Sequence, residues 1–107
     1  MNQVVKVVEA EGILDGSNAT QIRRQISQCL TGGANVILLD FKAVTFIDSS
    51  GLGALVASLK TVRSSKAQLY ICSICDQVKI LFELTSMNRV FRVFADRAEF
   101  EREIVRS

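Results

Sequence analysis

The chain has no histidine, no tryptophan and no proline among its 107 residues, and only one tyrosine and three cysteines. Without histidine, Ser-His and Cys-His nucleophile pairs cannot be assembled, so hydrolytic chemistry is hard to build. Cys29, Cys72 and Cys75 are an odd count, which excludes a full disulfide framework and a four-ligand Cys/His zinc site within one chain. Long apolar runs are also missing. No clean stretch is longer than Val36 to Leu39, which stops at Asp40, far short of the roughly 18 residues that span a bilayer. Neither charge sign dominates: 13 basic and 11 acidic residues give a net +2. The signs are interspersed, and Arg23, Arg24, Arg63 and Lys66 fall on different segments, so direct nucleic-acid binding is not expected. Met1-Asn2-Gln3-Val4 shows neither a basic leader nor a small-residue cleavage site, and the expected location is the cytoplasm.

What is present is apolar material in quantity. Hydrophobic residues make up 49% of the chain and charged ones 22%, a composition that folds, and the length suits one domain over residues 1–107. Val4 to Val8 is β-branched and reads as a strand, Glu9 to Glu11 as a turn, and Gly12 to Leu14 as a short second strand, together an antiparallel hairpin. From Ser17, an expected N-cap, Ala19, Ile22, Ile26, Cys29 and Leu30 recur at helical spacing until Gly32-Gly33. Val36 to Leu39 is continuous, as in a central strand covered on both faces, with Asp40 at its end.

After Phe46-Ile47, Asp48 to Gly51 forms a polar turn, and Leu52, Leu55, Val56, Leu59 and Val62 mark a second helix. Gln68 to Cys72 reads as a strand. Val78, Leu81, Phe82 and Thr85 give a third helix starting near Asp76, Thr85 to Asn88 a loop, and Val90 to Phe94 a strand. Asp96 and Glu99 have the form of a capping box for a last helix carrying Phe100 and Ile104. The expected class is α/β: a mixed, mostly parallel sheet opened by an N-terminal antiparallel hairpin, with about four helices. The glycines sit at element ends, and Ser50-Gly51-Leu52-Gly53 lacks the third glycine of a dinucleotide loop.

Phe46-Ile47-Asp48-Ser49-Ser50-Gly51-Leu52-Gly53 places two hydroxyls between a strand end and a helix start. The first helical N–H groups lack intrahelical partners and carry the positive end of the dipole, so a phosphoserine there is locally tolerated. The plainer reading of the same residues is that Asp48 or Ser49 is an N-cap and nothing is modified.

This stretch resembles the phosphorylation motif of the STAS-domain anti-sigma factor antagonists. So do Gly12-Ile13-Leu14-Asp15 followed by Ala19, the Val36 to Asp40 strand, and Val78-Lys79-Ile80-Leu81-Phe82, in the family's order and over nearly the whole chain. The resemblance implies a STAS-like fold and a partner switch. The unphosphorylated form would bind a serine-kinase anti-sigma factor and free the sigma factor, and phosphorylation would end that binding. It implies Ser50 as phosphoacceptor, Ser49 as its neighbour, and Asp48 as the residue shaping the turn. Asp15, Gly16, Ser17 and Asn18 would lie beside Ser50 on the kinase-binding face, completed by Gly51 and Leu52. The chain would then be a substrate rather than an enzyme, with no cofactor and no metal of its own. Its partners would be the kinase, which supplies ATP and Mg²⁺, and a serine phosphatase; no membrane is involved, and a monomer is expected. Two rivals stand beside this reading: the same switch module serving a client other than a sigma factor, and a thiol redox module built on Cys72 and Cys75.

Overall fold

The computed structural model describes residues 2–105. Its centre is a four-stranded sheet in the order β1-β2-β3-β4, with every neighbouring pair parallel. The strands are β1 (Val5–Leu14), β2 (Val36–Ile47), β3 (Gln68–Cys72) and β4 (Arg92–Phe94). The helices are α1 (Ala19–Thr31), α2 (Ser49–Ser64), α3 (Asp76–Leu84) and α4 (Arg97–Phe100), the last running on into a wider turn over Glu101–Val105. A short 3-10 turn, Met87–Arg89, precedes β4. Strand order follows chain order, and α1, α2 and α3 pack on one face of the sheet, as right-handed crossovers between parallel strands require. The larger apolar cluster occupies that face, where Ile37, Leu39, Phe41 and Ile71 meet Ile22 and Ile26, Leu55 and Val62, and Val78 and Phe82. The opposite face carries a smaller cluster of Val36, Leu38, Cys72 and Phe94, closed by Phe100 of α4. Tyr70 packs against both Phe94 and Phe100, with ring centroids 5.8 and 5.6 Å away, and those two rings are 5.7 Å from each other.

The expected N-terminal hairpin is not formed. Residues Val5–Leu14 are one strand, parallel to β2 throughout. The Glu9-Ala10-Glu11-Gly12 segment bends the strand without reversing it, because register shifts between Glu9 and Glu11 and between Gly12 and Ile13 take up the irregularity. Gly12 has φ +70°, a value open to glycine without a Cβ penalty. The sheet is therefore all parallel, not mixed. Asp40 likewise does not end its strand. It ends only the pairing with β3, at Asp40↔Cys72, while pairing with β1 runs on to Leu14↔Ile47. The expected N-cap of α1, Ser17, lies one residue outside the position, which Asn18 holds. Strand β3 and the start of α3 stand where the sequence pattern puts them. Asp96 caps α4 by accepting from Glu99 N at 2.8 Å, and the Glu99 carboxylate accepts from Ala95 N at 3.0 Å.

Candidate functional site

The extended pairing of β1 with β2 carries both strands past the end of β3 and sets the loops that follow them side by side. Leu14 is the hinge of this arrangement. Its carbonyl accepts from Asp48 N at 3.2 Å, and a Cβ built on Gly51 would come within 2.3 Å of the same oxygen. Only glycine lets the first turn of α2 approach the end of β1 this closely. The helix start itself is fixed by Asp48, in extended backbone at the N-cap, whose carboxylate accepts from Gly51 N at 2.8 Å.

The β1–α1 loop is tied internally. One Asp15 carboxylate oxygen accepts from Ser17 N at 2.9 Å, Ser17 Oγ at 2.6 Å and Asn18 N at 3.1 Å. Asn18 returns the favour with its side chain, accepting from Asp15 N at 2.8 Å and donating to Ile13 O. The Ser17 hydroxyl, with the backbone N–H groups of Asn18 and Ser17, holds the Asp15 carboxyl below the usual carboxylate range.

These two loops meet at Gly16 and Ser50. A Cβ on Gly16 would lie 3.4 Å from Ser50 Cβ and 3.9 Å from Ser50 Oγ. Ser49 and Ser50 are exposed, and neither hydroxyl has a hydrogen-bond partner among the described residues. Asp15, Gly16, Ser17, Asn18, Asp48, Ser49 and Ser50 thus share one surface at the C-terminal ends of β1 and β2, the end at which open α/β sheets characteristically place their sites. Gly51 and Leu52 do not join it at the surface. Both are buried, and Leu52 packs into the main core, so they position the turn from beneath.

Two further features shape this end. Ile13 and Phe46 are register partners on β1 and β2, 53% and 43% exposed, and stand immediately before the two site loops. Alternation along the strand was the available signal, since with Ile47 buried its neighbour Phe46 must face outward. Gln77 was also overlooked. Its amide accepts from Ile47 N at 2.8 Å and donates to Ile47 O at 2.9 Å, replacing the strand partner that β2 loses where β3 ends.

The surface around Ser50 is formed by the β1–α1 loop and the start of α2. Clefts of about 760 and 800 Å³ lie elsewhere, one beside Asp40 and Arg97 and the other between α3 and β4. Among the described residues no group of three or more Cys, Asp or Glu side chains is placed to hold a metal ion, and no helix is long and apolar enough to cross a membrane. The two cysteines of the Cys72-x-x-Cys75 spacing sit in different settings. Cys72 belongs to the smaller cluster and Cys75 packs against the larger one. Burial pushes the Cys72 thiol up and the nearby Asp40 charge adds to this, the reverse of what a reactive thiolate needs.

The chain matches the family model of the STAS domain over residues 2–100. It is 28% identical over 86 residues to the anti-sigma-B factor antagonist of Staphylococcus aureus strain NCTC 8325, covering 80% of each chain. A crystal structure of a proposed anti-sigma factor antagonist from Thermotoga maritima superposes with a TM-score of 0.84 at 26% identity, over 96% of this chain and 91% of that one. The fold is shared with the anti-sigma factor antagonist SpoIIAA of Bacillus in both forms, at 20% identity. Its unphosphorylated form gives a TM-score of 0.75 over 94% of this chain and 89% of that one, and its phosphorylated form 0.69 over 94% and 92%. The fold, the order of motifs and the family match agree: the chain belongs to the STAS-domain family.

Proposed function

We propose that this protein is a cytoplasmic anti-sigma factor antagonist whose hold on a serine-kinase anti-sigma factor is switched by phosphorylation of Ser50. The observation that carries the reading is the exposed Ser50 hydroxyl at the start of α2, with Gly16 of the β1–α1 loop against it. The relatives named as anti-sigma factor antagonists and the two phosphorylation states of SpoIIAA support it.

In this reading the kinase partner brings ATP and Mg²⁺ and does the catalysis. The Ser50 oxygen attacks the γ-phosphorus, the new O–P bond forms as the bond to ADP breaks, and the hydroxyl proton leaves to a base of the partner. A serine phosphatase reverses the change by hydrolysing the ester. The phosphate adds about −1.5 to −2 charges to a surface already carrying Asp15 and Asp48. The N-terminal dipole of α2 accepts that charge locally, so the fold stays while the binding face changes sign. Loss of binding follows from repulsion and from the cost of desolvating the phosphate against a surface built for a hydroxyl.

Phosphopeptide mapping of protein isolated from its own cells, followed by capture of the bound kinase with wild-type and Ser50→Ala bait, tests this. The expected result is phosphate on Ser50, loss of kinase binding by the phosphorylated form, and constitutive binding by Ser50→Ala. Phosphate only on Ser49 or elsewhere, or a Ser50→Ala protein that binds no better than phosphorylated wild type, sinks the switch. A captured kinase whose second client is not a sigma factor would keep the switch and change its output.

A further inference from the structure

The helical layer has an uneven charge pattern that the Ser50 surface does not use. Helices α1 and α2 together carry Arg23, Arg24, Lys60 and Arg63 and not one acidic residue. Thr20, Arg23, Arg24 and Ser27 lie at i, i+3, i+4 and i+7, one stripe of α1. This stripe faces Ser58 and Thr61 of α2 across a cleft of about 220 Å³ floored by Ile26. Three of the hydroxyls around it are already committed as donors. Thr20 Oγ1 donates to Gly16 O, Ser58 Oγ to Ala54 O and Thr61 Oγ1 to Ala57 O. The strong donors left for a ligand are the two guanidiniums. Both arginines are exposed, and among the described residues the ion pairs found belong to Arg97, not to them.

We infer that the α1–α2 cleft is a docking site for an acidic protein segment, whose Asp or Glu carboxylates pair with Arg23 and Arg24. A guanidinium fork matches a carboxylate in bidentate geometry. The cleft is smaller than the roughly 300–1,000 Å³ of small-molecule pockets and has room for single side chains. The same face argues against the other polyanions. Neither helix bears an aromatic residue on which an unpaired base could stack. The exposed large hydrophobics, such as Ile13, Phe46, Ile80 and Leu84, all lie off these two helices, so nothing on this face inserts into a lipid interface. Contact through two exposed arginines is salt-dependent and fast, a track for electrostatic capture. It does not depend on Ser50.

The test is an amide NMR titration of the whole chain with a hexaglutamate peptide at low ionic strength. The comparison is among wild type, the double charge reversal R23E/R24E and the matched reversal K60E/R63E. Shifts are expected to concentrate at residues 20–27 and 58–61, with affinity falling about tenfold in R23E/R24E, the sum of two exposed ion pairs, and little in K60E/R63E. The charge-neutral R23Q/R24Q pair should weaken binding in the same sense while leaving the helix intact, which separates lost contacts from misfolding. The inference is overturned by equal weakening in both reversals, by shifts centred elsewhere, or by no binding. It is also overturned if a duplex oligonucleotide or anionic phospholipid vesicles engage Arg23 and Arg24 more tightly than the peptide does.

Discussion

The first turn of α2 sits on the end of β1 because Gly51 has no Cβ. At Gly51 an alanine methyl would meet Leu14 O at 2.3 Å and Leu14 C at 2.8 Å, and both are backbone atoms that cannot swing aside. Gly51→Ala must therefore push the start of α2 off the end of β1, straining the Asp48 cap and the contact of Ser50 with Gly16. We expect a loss of about 1–3 kcal/mol in stability, typical of overpacking, and amide shift changes concentrated at residues 14–16 and 48–52. Gly53→Ala, with nothing within 4 Å of its Cβ position, should be neutral or mildly stabilising by helix propensity. Chemical denaturation of the two variants checks the contrast, and equal stabilities would refute it. The motif expectation counts Gly51 among the partner-binding residues, whereas it is buried beneath that surface, and its role is a tertiary contact with Leu14, thirty-seven positions upstream, which local pattern cannot show.

Among the elements, β1 and β2 mark the boundary of what was legible. Helices with a clear apolar stripe, and β3 between its flanking polar turns, follow from periodicity alone. The hairpin expectation failed because Glu-Ala-Glu-Gly offers the same local signal for a reversal and for a bulged continuation. What decides is the alignment of nine of the ten residues of β1 against β2, a non-local pairing that passes over Ala10. Asp40 failed for a related reason. A carboxylate in a central strand reads as a terminus, whereas here it is 6% exposed and held by Lys42 N at 2.9 Å and Arg97 Nε at 2.7 Å. Burial pushes the Asp40 carboxyl up, but the Lys42 N–H and the Arg97 guanidinium outweigh it and hold the pKa below its ordinary value. The sign follows from linkage. A depressed carboxylate pKa contributes stability that is full above the unfolded value of about 3.9 and is lost as pH falls through the folded value. Docking of α4 should therefore be flat from pH 5 to 8 and loosen in stronger acid. Tyr70, the only tyrosine and packed against Phe94 and Phe100, reports it by fluorescence. Arg97→Ala strips Asp40 of its cation and should cost about 1–3 kcal/mol, toward the low end because the Arg97 side chain is 45% exposed. It should also move the acid loosening to higher pH. An unchanged acid profile in Arg97→Ala would show that the pair does not hold α4.

At the scale of the whole molecule the outer edge of the sheet bears on self-association. Strand β4 has three residues and presents little edge, but β1 has ten and a free outer side. An exposed edge of that length is a template for pairing unless something breaks its regularity. Two devices do so here. The register shifts at Glu9/Glu11 and Gly12/Ile13 bend the strand away from a flat ladder, and Lys6 and Glu11 keep exposed charges along it. Val7 and Ile13, 41% and 53% exposed, are the large apolar residues that remain exposed along the strand beside these charges. On this account the expected state is a monomer, maintained by a few residues whose only local signature is that they look like a turn. The prediction is that Lys6→Val/Glu11→Val, which removes both charges without touching the core or the Ser50 surface, associates with rising concentration while wild type does not. Sedimentation equilibrium over a hundredfold range of concentration, about micromolar to tenths of millimolar and spanning the affinities of weak contacts, distinguishes the cases. A wild-type chain that is already dimeric at the low end would mean that the bulges do not guard the edge. A double variant that stays monomeric would mean that they guard it without help from the charges.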